Sequence, residues 1–125
     1  MLMISTLTSL LVWTAFAQVD FKNLKNNQVV TSPLKIEFSV KGKKVRPAGQ
    51  LVEGTGHHHL IINGKPVPKG QAVPADERHI HFGKGQTSTT IELKPGTHTL
   101  TLQFADGVHL SYGKKWSKTI KVTVK

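Results

Sequence analysis

Residues 34–41 read LKIEFSVK, with Leu34, Ile36, Phe38 and Val40 alternating with Lys35, Glu37, Ser39 and Lys41. Side chains two apart on an extended chain share a face, so this stretch predicts a β-strand with one buried and one solvated side. Ser32-Pro33 precedes it and Gly42 ends it. Moving outward, the same period returns twice. His98, Leu100, Leu102 and Phe104 are expected on a buried face with Thr97, Thr99, Thr101 and Gln103 outside, and Ile120, Val122 and Val124 oppose Lys121, Thr123 and Lys125 on a last strand. Shorter extended segments are expected at residues 58–63, closed by the turn dipeptide Asn63-Gly64, at 79–82, and at 86–93 before Pro95-Gly96. Residues 43–56 carry Pro47, Gly49, Gly54 and Gly56 and read as a loop. Residues 65–78 hold Pro66, Pro68 and Pro74, which have no amide proton to give to a ladder, and predict a surface excursion. No segment keeps a helical period for three turns. About seven short strands divided by turns predict an all-β, immunoglobulin-like antiparallel β-sandwich.

Upstream of this pattern, residues 1–17 read MLMISTLTSLLVWTAFA, without a charged side chain and with small residues at Ala15 and Ala17. An apolar run ending in Ala-x-Ala predicts a secretory signal peptide cleaved after Ala17, and a periplasmic or secreted product. A retained anchor is the alternative, but the run is shorter than the ~20 residues of a membrane-spanning helix. Residues 18–125 are then of a size for one domain. The chain has no cysteine, so neither a disulfide nor a thiolate metal site holds it together. Its 17 Lys and Arg against 7 Asp and Glu give a formal charge of +10. That charge favours anionic surroundings. Behind a leader peptide, nucleic acid is a poor partner and anionic cell-envelope components a plausible one. The lysines are scattered along the chain, as on a surface that only aids solubility.

Five of the seven histidines fall in two extended segments: His57, His58 and His59 in GTGHHHLIIN, and His79 and His81 in ERHIHF. On strands, His57 and His59 project to one side, as do His79 and His81. Two such pairs on adjacent strands would bring up to four imidazoles around one point, a donor set suited to copper or zinc. The rival reading is a hydrogen-bonded network that binds nothing. His58 shares a strand face with Leu60 and Ile62 and is expected to pack. His98 follows a turn and is expected to hydrogen-bond back to it, whereas His109, after Asp106-Gly107, is a reserve ligand. Glu53, Asp76 and Glu77 are placed to orient an imidazole from outside the ligand set.

Catalytic signatures are lacking. Ser111 and the other hydroxyls stand in no G-x-S-x-G motif, and Gly83 and Gly85 in FGKGQ precede no helix whose amides would cradle a phosphate. An oxidative copper site built on an amino-terminal histidine is excluded if cleavage exposes Gln18.

Taken together, GTGHHHLIIN, VPADERHIHFGKGQTSTTIEL, PGTHTLTLQFAD and VHLSYG resemble the exported bacterial family DUF4399 from about Leu34 to Lys125. The resemblance implies an exported β-sandwich and marks His57, His58, His59, His79, His81, Gln86 and Thr87 as characteristic positions. It brings no reaction with it. Where some relatives have a further His and a proline pair, this chain has Leu110-Ser111-Tyr112-Gly113. The expectation is a binding module rather than an enzyme, with His57, His59, His79 and His81 as first-choice metal ligands and His109 in reserve. The alternative is a structural or envelope-interaction domain that uses its basic surface and no metal.

Overall fold

The computed structural model describes residues 17–125. The expected leader, apart from Ala17, lies outside the described residues. The chain is all-β and forms two sheets. Nine strands follow in order: β1 (Val19–Phe21), β2 (Gln28–Val30), β3 (Leu34–Val40), β4 (Lys44–Val45), β5 (Thr55–Ile62), β6 (His79–His81), β7 (Ser88–Ile91), β8 (Gly96–Ala105) and β9 (Ser117–Val124). The smaller sheet has the order β1-β3-β7, and the larger runs β2-β9-β8-β5-β4 with β6 also paired to β5.

The strand predicted from Leu34 to Lys41 sits in the middle of the smaller sheet, and Leu34, Ile36 and Phe38 are buried against the larger one. From the larger sheet Leu60, Leu100, Leu102, Phe104, Ile120 and Val122 complete this core. The architecture is therefore the expected sandwich, with more strands than the alternation revealed. β1, β2 and β4 are two or three residues long, too short for a period of two to register. Two of them also depart from purely antiparallel pairing. The chain leaves the smaller sheet after β1 and enters the larger at β2, which runs parallel to β9, while β4 runs parallel to β5. The loop expected at residues 43–56 thus contains one short strand.

A second difference positions the site. Thr101 and Gln103, expected on a wet face, are fully buried. The proline-rich excursion at residues 65–78 folds over the outer face of the larger sheet, where Val67 and Val73 pack on Ile61 and Ala105. Gln103 fastens this cover: its Oε1 accepts the amide of Val67 at 3.0 Å, and its Nε2 donates to the carbonyl of Gly113 at 3.1 Å. Alternation still sets which way each side chain points. A loop laid over the outer side then buries residues whose polarity would have suited water.

Candidate metal centre

β5 reads Thr55-Gly-His-His-His-Leu-Ile-Ile62, and its pleat divides the three histidines. His58 points inward with Leu60, its ring centroid 4.8 Å from that of Phe38 and 5.0 Å from that of Phe104. His57 and His59 point outward, onto the face the excursion partly covers. Across the strands His59 pairs with His81 on β6 and with Gln103 on β8, and His57 pairs with Ala105. Beyond Ala105 the chain turns back over the same face and delivers His109.

That turn is built by Asp106. Its Oδ1 accepts the amides of Val108 at 2.9 Å and Leu110 at 3.0 Å, and its carbonyl accepts the amide of His109 at 3.0 Å. His109 adopts a left-handed φ of 70°, and its carbonyl accepts the amide of Val73 at 2.9 Å. The hydroxyl of Ser111 donates to the carbonyl of Val67 at 2.7 Å, tying the turn to the excursion. Ser111 is therefore spent on architecture.

The four rings of His57, His59, His81 and His109 converge, with one potential ligand atom of each lying within 4.8 Å of the other three. His57 Nε2 stands 3.1 Å from both His81 Nε2 and His109 Nδ1. His57 and His59 are buried at the base, and His81 is exposed at the mouth. Gly83 leaves room for the His81 ring, since a Cβ there would meet its Cε1 and lie 2.7 Å from its Nε2 and 3.0 Å from its Nδ1. Neither Gly83 nor Asp106 stood out in the sequence as a supporting residue. Only Asp106-Gly107, as a turn dipeptide ahead of a histidine, offered a signal.

His79, expected to point with His81 into the site, is not in this group. It does lie on the same face, but two residues of strand carry it about 7 Å along β6, where it pairs with Ile61 instead of a histidine. Its Nδ1 hydrogen-bonds Asp76 Oδ1 at 2.6 Å, and that bond holds the Asp76 carboxyl below its usual range. Asp76 thus orients an imidazole outside the cluster. His98 bonds the carbonyl of Lys94 at 2.8 Å, back across the turn before it, and Asn63 at 3.0 Å.

Burial lowers the pKa of His57 to about 4, helped by the charges His81 and His109 would carry and opposed by Asp106. Burial first, then the charges that His57, His81 and His109 would carry, lower His59 to about 3 against a backbone hydrogen bond with Gln103, and burial and His109 shift His81 down. His57 and His59 are therefore neutral at pH 7, and a neutral imidazole has the free lone pair that a metal requires. Hydrogen bonding among the rings does not satisfy them. A single proton on His57 Nε2 serves one of its two nitrogen neighbours, and Nδ1 of both His57 and His59 is buried without a partner. With bonds of about 2.0–2.1 Å, nitrogens around one tetrahedral ion sit roughly 3.3 Å apart, close to the 3.1 Å contacts seen here.

The model of a family described as a domain of unknown function, DUF4399, matches residues 36–125. The chain belongs to the DUF4399 family. All four clustered histidines of this DUF4399 domain lie within the matched residues. No curated protein and no solved structure matches the chain.

Proposed function

We propose that this DUF4399 protein is an exported metal-binding module that takes one copper or zinc ion on His57, His59, His81 and His109, and that it is not an enzyme. One observation carries the reading: four imidazoles from three separate stretches of chain converge within 4.8 Å, and no carboxylate among the described residues joins them. A packing network would be expected to close on itself. These rings do not: one proton on His57 Nε2 can serve only one of the two ring nitrogens 3.1 Å from it, and a cation there takes up the lone pairs left over. Export is supported by the uncharged, apolar residues 1–17, and the charge of +10 suits anionic envelope surroundings.

The test is a titration of the untagged protein with zinc and copper against a competing chelator. One ion per chain is expected. His59→Ala and His81→Ala should each weaken binding at least about tenfold, the loss seen even when a residue supporting a ligand is removed. Failure of the unaltered protein to compete for either ion would end the metal reading and leave its basic surface as the place to look for function.

A further inference from the structure

The six distances between the four ring centroids are more informative than their closeness. They are 4.7 Å for His57 and His59, 4.9 Å for His57 and His81, 5.0 Å for His57 and His109, 5.2 Å for His59 and His81, 5.9 Å for His59 and His109, and 4.7 Å for His81 and His109. Four imidazoles bound through nitrogen to one tetrahedral ion have all six centroid distances equal, at about 5 Å. Around a square-planar ion two opposite pairs stand about 1.4 times farther apart than neighbours do. Taking His59 and His109 as one opposite pair makes His57 and His81 the other, yet that pair, at 4.9 Å, falls within the 4.7–5.2 Å spread of the adjacent ones. The rings therefore mark the corners of a slightly stretched tetrahedron.

The frame behind three of these corners is stiff. His57 and His59 stand on a central strand, and His81 stands on β6, paired with that strand, its ring against Gly83. Flattening the tetrahedron would need His57 and His81, on the paired strands β5 and β6, to move apart to opposite sides of the ion. Resting on the metal-binding reading above, we infer that the site is a closed four-imidazole cage that selects a tetrahedral d10 ion, zinc(II), over copper(II). Zinc has no geometric preference from its d electrons, whereas copper(II) favours tetragonal sites. Four protein ligands also leave no position for a water or substrate, which marks a site that holds or hands over its ion instead of activating a nucleophile. The exposed His81 is the ligand through which the ion enters and leaves.

Cobalt(II) reads out this geometry. The untagged protein is stripped with chelator, loaded with one equivalent of cobalt(II) and examined by visible absorption. A tetrahedral cage gives bands at least about tenfold more intense than those of the six-coordinate aqueous ion. One equivalent of zinc bleaches them, and azide leaves them unchanged because no position is open. In His81→Ala, whose altered side chain is at the surface, azide shifts the bands. Stoichiometric cobalt binding with weak, six-coordinate absorption, or an azide response in the unaltered protein, would overturn the closed tetrahedral cage while leaving metal binding intact. Absence of any cobalt or zinc binding would overturn both.

Discussion

His58 is fully buried between Phe38 and Phe104, and neither of its ring nitrogens has a hydrogen-bond partner. A buried donor left unpaired costs about 1–3 kcal/mol, so His58→Leu, similar in volume and without polar atoms, is expected to raise stability by roughly that amount. The substitution faces away from the cluster and should leave metal affinity unchanged, which a zinc titration of the variant checks. Acid sharpens the contrast. Burial lowers the pKa of His58 to about 4 from 6.5, so between those values the unfolded chain takes up a proton that the folded chain refuses. Stability is undiminished above pH 6.5 and falls as the pH drops toward 4, by about 1.4 kcal/mol per pH unit from this residue. Urea midpoints of chelator-treated protein at pH 7 and pH 5 should show a steeper loss in the unaltered chain than in His58→Leu. An equal loss in both would show that His58 does not carry the acid sensitivity.

Two glycines, one on a strand and one in a turn, govern how the elements close on the site. At Gly56 on β5, a Cβ would meet the Ala105 carbonyl and come within 2.7 Å of Phe104 Cε1. Gly56→Ala must therefore push β5 off β8, at a cost of about 1–3 kcal/mol typical of overpacking, visible as a lowered melting temperature. Gly83→Ala works differently, because what it meets is the His81 ring. That variant should fold with unaltered stability and lose metal affinity about tenfold, as when a residue that orients a ligand is removed. The turn after β8 belongs to the same scale. Asp106→Ala frees the amides of Val108 and Leu110, and His109 then samples positions away from the cluster, so a weaker zinc titration is expected with the two sheets intact.

For the molecule as a whole, an ion that binds only the folded chain stabilises it by mass action, by about 2.7 kcal/mol at a free concentration one hundred times its Kd. Zinc should raise the melting temperature of the unaltered protein, chelator should reverse the shift, and His81→Ala should reduce it at the same zinc concentration. The sequence by itself determined the sandwich, because alternation at Leu34–Val40, Leu100–Phe104 and Ile120–Val124 is a local property that any extended chain converts into a buried face. It also showed that His57 and His59 share one side and His58 the other, since that follows from the pleat alone. Strand neighbours, register and loop cover are long-range outcomes, and they decided the remainder. Pairing His59 with His81 placed His79 opposite Ile61, one strand repeat from the cluster. The proline-rich excursion buried Gln103, which reads as a surface residue from its neighbours. Only a turn held by its own aspartate could bring His109, fifty-two residues from His57 in the chain, to within 3.1 Å of it.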